Sequence, residues 1–247
     1  MKTNTLRQSR NATLACIIFF AVFILFSIYK ANFQSIDVAV NLWTITIHTD
    51  TSILLAKALS IIFDTTIIVA ASLVIATVLF IKKRKPQSLL LLTAIGGEAL
   101  FVTIIKNIDQ VARPANQLLL GSGFSYPSGH SAGVIVFIGL IAYYALLNWN
   151  TSKRAKILAL AGFGLIVAFV SFDRVYLNVH WLSDVVGGWL FGAFWLSFCI
   201  MVYERMKLAG KFETKRFNFV ANLLFALGVV VAVTLVTLGW FFNYLTF

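Results

Sequence analysis

His130 and His180, two of the chain's three histidines, are accompanied by one carboxylate, Asp184, and by the cations Lys106, Arg113 and Arg174. They fall in short clusters: Lys106 with Arg113-Pro114, the tetrapeptide Pro127-Ser128-Gly129-His130, and Arg174 with His180 and Asp184. An imidazole, a carboxylate to orient it and several fixed positive charges are what cleavage of a phosphate ester requires. Charge spreads over the outer phosphoryl oxygens as the bond to the leaving group breaks, and it must be met.

Each cluster has its own physical reading. His180 and Asp184 are four residues apart, a spacing that on a helix puts both side chains on one face. The carboxylate would then fix the imidazole tautomer and leave the other ring nitrogen as nucleophile or base. Arg174, six residues earlier, is near enough to hold a phosphate oxygen in the same pocket. Ser128 reads as the N-cap of a long apolar helix, whose free N–H groups and dipole make an anion site. Gly129 lets a ligand approach that backbone closely, and His130 on the first turn can give a proton to a leaving oxygen. Arg113 can grip two oxygens at once, whereas Lys106 acts as a point charge. Taken singly, a serine cap, an i,i+4 His–Asp pair or a lysine at a helix end is ordinary structural chemistry. The combination is far more specific.

These residues need elements to hold them, and composition says what kind. The 247 residues are 60% hydrophobic and 12% charged, against about 25% charged in soluble domains. Seven apolar runs approach the roughly 20 residues that cross a bilayer: Ala12–Tyr29, Phe63–Ile81, Ser88–Ile105, Ser131–Leu147, Ile157–Ser171, Asp184–Tyr203 and Phe219–Phe242. The expected fold is an all-α, polytopic membrane helical bundle.

The net charge of +11 sorts by side once these runs are threaded through a membrane. The N-terminal tail, Lys82–Lys85, Lys153–Lys156 and Arg205–Arg216 share one side and carry most of the 20 Lys and Arg. The positive-inside rule makes that side cytoplasmic, with the N-terminus on it. The basic excess therefore reports topology, and no nucleic-acid partner is expected. Lys30, Lys57, Lys106, Arg113 and Arg174 remain for the outer side, where the clusters also fall.

Lys-x6-Arg-Pro, Pro-Ser-Gly-His and Arg-x5-His-x3-Asp, in that order, resemble the three signature motifs of the type 2 phosphatidic acid phosphatase (PAP2) family. Its superfamily also holds vanadium haloperoxidases and glucose-6-phosphatase-like enzymes. The resemblance spans the first six runs and implies a six-helix core over residues 1–216. The seventh run, within 217–247, would be an additional helix of the same unit, leaving the C-terminus outside. The resemblance implies that His180 is the nucleophile and forms a phosphohistidine, with Asp184 orienting it. His130 would protonate the leaving group and then activate water. Lys106, Arg113, Arg174, Ser128 and the Gly129 amide would hold the phosphoryl group.

The implied activity is hydrolysis, at the outer face, of a lipid phosphate or diphosphate of the undecaprenyl diphosphate, phosphatidylglycerophosphate or phosphatidic acid class. Neither a cofactor nor a metal is expected. One departure stands in the third motif, which opens Asp173-Arg174 where the family usually has Ser-Arg. The acid would orient that arginine or weaken the anion site. The same site with another acceptor would make a lipid phosphotransferase. A third reading, an anion or lipid transporter, is disfavoured because the ionisable cluster lies at span ends and not along a midplane path.

Other polar residues receive structural readings. Glu98, behind Gly96-Gly97 in the third run, is expected to be hydrogen-bonded within a close helix contact. His48 is read as structural, Cys16 and Cys199 as small core residues, and Trp149 and Trp181 as interfacial anchors. The first run is read as a retained helix rather than a cleaved signal. The outer segment Lys30–Ile62 is expected to be helical in its second half, at the interface or continuous with the second span.

Overall fold

The computed structural model describes residues 2–148 and 152–212. All regular structure among them is helical: α1 (Lys2–Tyr29), a 3-10 turn (Lys30–Phe33), α2 (Gln34–Thr46), α3 (Asp50–Ile62), α4 (Thr65–Ile81), α5 (Lys85–Asp109), α6 (Gly129–Asn148), α7 (Lys153–Tyr176) and α8 (Leu182–Leu208). The seventh run, Phe219–Phe242, and the anchor residue Trp149 lie outside the described residues.

Among the described residues, five helical stretches are long and apolar enough to cross a membrane: Thr5–Thr46, Asp50–Ile81, Lys85–Asp109, Lys153–Tyr176 and Leu182–Leu208. The remaining expected span is α6, apolar over Gly129–Tyr144. Local chemistry sets their ends. Asp64 accepts from the Thr66 N–H at 2.8 Å to start α4, and Ser152 accepts from the Ala155 N–H at 3.2 Å to start α7. Such caps satisfy N–H groups that have no intrahelical acceptor. At the far end of α5, Gln110 turns the chain into the left-handed region at φ 50°.

The segment Lys30–Ile62 goes further than its sequence suggested. Its second half is α3, as expected, but its first half is also helical, as α2. Asp37 on α2 accepts from the Ser183 N–H at 2.8 Å and from the Ser183 hydroxyl at 2.6 Å, which pins α2 to the first turn of α8. Thr44 and Asn41 reach Asn178 at 2.8 and 3.0 Å and tie the same helix to the loop before α8.

The core lies where α4, α5, α6 and α8 meet, around Ala94, Ile95, Val134, Phe137 and Leu140. Helix α1 covers α8, with Phe23 and Phe191 rings 5.5 Å apart. Its other side exposes Ile17, Ile18, Leu25 and Ile28, the apolar outer surface that a bilayer solvates. The helices α6 and α8 approach closely, because a Cβ at Gly188 would come within 2.5 Å of the Ser128 carbonyl oxygen.

The two ends of the bundle differ in charge. At one, Arg205 reaches Thr13 at 3.4 Å and Tyr144 reaches the Gln87 carbonyl at 3.3 Å, so the basic ends of α1, α5 and α8 gather there. At the other, Tyr126 meets Ser27 at 2.7 Å and Lys30 pairs with Asp109 at 3.0 Å. The sequence clusters all belong to this second end. Cys16 and Cys199 are free and buried.

Candidate active site

The end of α5, the start of α6 and the α7–α8 and α5–α6 loops enclose a cavity of about 410 Å³. Its wall includes Lys106, Arg113, Gly129, His130 and His180. Five of the eight residues expected at the site therefore face one space. The other three, Asp184, Ser128 and Arg174, stand behind the wall and are buried.

His180 is the most restrained. Its Nδ1 lies 3.2 Å from Asp184 Oδ2, and its Nε2 lies 3.2 Å from Arg113 Nη1. An arginine N–H can only donate, so Nε2 is the acceptor and Nδ1 carries the proton that it donates to Asp184. The pair does not arise as the i,i+4 spacing predicts. His180 precedes α8, and Asp184 folds back over the helix start to accept from the Trp181 N–H at 2.8 Å. The carboxylate therefore serves the unpaired donors of a helix N-terminus and the histidine together.

Ser125 completes this arrangement and was not among the expected residues. Its hydroxyl donates to Asp184 Oδ2 in a short hydrogen bond and lies 3.2 Å from His180 Nδ1. It sits two residues before Pro127 in the α5–α6 loop and belongs to none of the three motifs. Burial pushes the His180 pKa well below the ordinary histidine value, and the charges of Lys106 and Arg113 push it further down. The imidazole is thus neutral at pH 7, with the Nε2 lone pair towards the cavity.

Lys106 and Arg113 are held by carbonyls. Lys106 donates to Phe124 O and Ser125 O at 2.7 and 2.8 Å. Arg113 donates to Gly123 O at 3.0 Å, Ser122 O at 3.0 Å and Val179 O at 2.8 Å. No carboxylate among the described residues forms a salt bridge with either. Their charge is positioned but not cancelled, the condition for binding an anion. Ser128 caps α6, accepting from the Ser131 N–H at 3.4 Å, while its own N–H donates to the Asp184 carbonyl at 2.9 Å. The first N–H groups of α6, at Gly129 and His130, have no intrahelical acceptor, and both residues border the cavity.

His130 is held loosely. Its Nε2 lies 3.6 Å from Asp64 Oδ2, beyond hydrogen-bond distance, and has no hydrogen-bond partner among the described residues. Asp64, the cap of α4, also escaped sequence reasoning, since a capping aspartate carries no signal of a distant histidine.

Arg174 differs from expectation. Its guanidinium bonds Asp173 and Ser60, with Nε 3.1 Å from Asp173 Oδ2. Of the two effects weighed for the unusual Asp173, the structure has it hold the arginine on itself, so Arg174 is not on the cavity wall. His48 is structural, 2.8 Å from the Tyr176 carbonyl oxygen. Glu98 corrects its expectation: it borders the cavity, and its Oε1 is buried without a hydrogen-bond partner among the described residues. Gly97 does give the expected close contact, against Trp195, but Gly96 has nothing near it.

Chemically, the cavity joins an oriented neutral imidazole, two uncancelled cations, a helix start and a second, freer imidazole. This set can accept a phosphoryl group.

The sequence model of the PAP2 superfamily matches residues 87–208. Phosphatidylglycerophosphatase B of Bacillus subtilis (strain 168) is 31% identical over 120 residues, which cover 48% of this chain and 59% of that protein. Undecaprenyl-diphosphatase of Sulfolobus acidocaldarius is 43% identical over 82 residues, covering 33% of this chain and 34% of that protein. The matches thus span about a third to three-fifths of the length of these relatives. The crystal structure of a transmembrane PAP2 type phosphatidylglycerolphosphate phosphatase from Bacillus subtilis superposes with a TM-score of 0.69 at 24% identity, over 82% of this chain and 98% of that one. With its three motifs gathered at one end of a helical membrane bundle of that fold, the chain matches the PAP2 superfamily through residues 87–208.

Proposed function

We propose that this protein is an integral membrane phosphatase that hydrolyses a lipid phosphomonoester or diphosphate through a phosphohistidine. The observation that carries this reading is His180: its Nδ1 is committed to Asp184, and its Nε2 faces a cavity bordered by Lys106, Arg113 and His130. Nε2 attacks phosphorus as the bond to the leaving oxygen breaks, and protonated His130 gives that oxygen its proton. Water then attacks the phosphohistidine, His130 takes a proton from it, and inorganic phosphate leaves with Nε2 restored.

Lys106, Arg113 and the Gly129 N–H hold the phosphoryl oxygens, and Ser128 supports them by fixing the start of α6. Arg174 supports the loop beneath His180 through its carbonyl, which accepts from the Val179 and His180 N–H groups at 3.0 and 3.2 Å. A phosphoryl group bound this way has its charge met by side chains and needs no metal ion.

The lipid classes in view are undecaprenyl diphosphate, phosphatidylglycerophosphate and phosphatidic acid, the first two supported by the names of the relatives. Thr65 and Thr103, on the cavity wall, are exposed on the side of the bundle, which supports a substrate whose tail stays in the bilayer. The basic segments at the opposite end support a cytoplasmic N-terminus and an outward-facing site. The catalytic unit lies within residues 1–216.

The test is phosphate release from these three lipids by purified protein in detergent with EDTA, beside His180→Ala. Release that the substitution abolishes supports the reading. Transfer of phosphate to an added lipid or sugar without free phosphate would replace hydrolysis by phosphotransfer. Release lost with EDTA would overturn the metal-free mechanism.

A further inference from the structure

Glu98 belongs to no motif and takes no part in the chemistry above, yet it stands in the same cavity. Along α5 the inward positions are Leu91, Ala94, Ile95, Glu98 and Val102, all buried. This is the stripe that leads to Lys106 at the outer end. Glu98 is eight residues before Lys106, two turns or about 12 Å nearer the membrane midplane.

The carboxyl is 3% exposed, and Oε1 has no hydrogen-bond partner among the described residues. Space is left for it from the opposite helix, since a Cβ at Gly133 on α6 would come only to 3.5 Å from Oε2. A buried polar group without a partner is costly, more so within a membrane, and intramembrane carboxyls mark functional positions. Lys106 and Arg113 define where a phosphate sits, and Thr65 and Thr103 mark where the cavity meets the bilayer side. Along α5 the order is Glu98, Thr103, Lys106, so Glu98 lies on the midplane side of both levels, where the part of a leaving group below the phosphate would reach.

We propose that Glu98 is a specificity residue that hydrogen-bonds a polar linker, the hydroxyl or ester oxygens of a glycerol unit, and so favours glycerolipid phosphates over polyprenyl diphosphates. A polyprenyl chain offers only hydrocarbon at this depth and would leave the carboxyl buried and unpaired. A glycerol-based leaving group supplies its missing partner. This inference rests on the lipid phosphatase reading.

The test compares kcat/KM for phosphatidylglycerophosphate and for undecaprenyl diphosphate in wild type, Glu98→Gln and Glu98→Leu. Glu98→Leu is expected to lose about tenfold on the glycerolipid and to hold or gain on the polyprenyl substrate. Glu98→Gln, whose amide still donates and accepts, is expected to keep most of the wild-type preference. An equal loss on both substrates, or no change on either, would overturn the assignment; so would Glu98→Gln behaving like Glu98→Leu. A wild type that releases phosphate from neither lipid would instead overturn the phosphatase reading itself. Matching thermal unfolding temperatures separate a changed preference from a damaged fold.

Discussion

The two histidines of the cavity are held in opposite ways. His180 is fully enclosed, with Nδ1 on Asp184, Nε2 on Arg113 and Ser125 bracing the carboxylate. His130 has a side chain 21% exposed, and its ring nitrogen hangs 3.6 Å from Asp64. On the proposed reaction the difference fits the two tasks. A nucleophile gains from one fixed orientation and one unprotonated ring nitrogen, because misplacement of the attacking atom weakens every later contact. An acid that becomes a base must exchange a proton with a leaving oxygen and then with water, and a rigid partner would hinder that.

The sharpest way to break the contrast is to remove each histidine in turn. His180→Ala is expected to lower phosphate release by on the order of 10⁵-fold and to leave no acid-labile phosphoprotein after rapid quench. His130→Ala is expected to cost about 10²–10⁴-fold. It should recover much of the first step on an aryl phosphate, whose leaving oxygen needs no proton, and it should then accumulate phosphoprotein. A His130→Ala enzyme that forms none with either substrate would assign nucleophilic attack to both residues or to the wrong one.

The two arginines sharpen the same point. Arg113→Ala, on the cavity wall, is expected to cost about 10²–10³-fold in kcat with a normal unfolding temperature. Arg174→Ala leaves Asp173 buried and unpaired, so its first effect is on stability, about 3–5 kcal/mol in the detergent-solubilised protein. Thermal unfolding beside kinetics separates the two. Equal kinetic losses at equal stability would place both arginines on the phosphoryl group.

Smaller effects concern the bracing of His180. Ser125→Ala is expected to lower kcat about fivefold with KM little changed, read from steady-state kinetics on one lipid. The pH profile tests the same environment. Burial first, then Lys106 and Arg113, hold the His180 pKa below its ordinary value. The acid limb of kcat/KM that reports this nucleophile therefore lies below about pH 6.5. Arg113→Gln removes one of those charges and should move the limb to higher pH. The same shift has a stability sign. The unfolded chain binds this proton at higher pH than the folded one, so His180 lowers stability as pH falls through about 6.5 and has no such effect above it. Unfolding temperatures across pH 5–8, with His180→Gln flatter than wild type, would show it.

What could be read from the sequence was local or repeated. Six apolar runs became helices because their length and composition leave the backbone no other way to satisfy itself in lipid. The motif residues fell at helix ends because caps and turn residues specify those ends from within a few positions. Helix α2 was not legible, since its short polar-flanked sequence acquires a role only where Asp37 meets Ser183, 146 residues away. Ser125 and Asp64 were missed for the same reason. Each is ordinary in its own segment and becomes part of the site through a partner 59 or more residues distant.

The sequence by itself therefore determined a helical membrane bundle, its sorted charges, and the set of chemical groups at one end. Only the tertiary structure decided how those groups are paired. It turned Arg174 onto Asp173 and Ser60, left Arg113 on the His180 lone pair, and set Glu98 unpaired in the cavity wall. The physical reason is range. Helix formation and capping are settled within a few residues, whereas the partner of a buried charge is whichever group the packing of distant helices brings within about 3 Å.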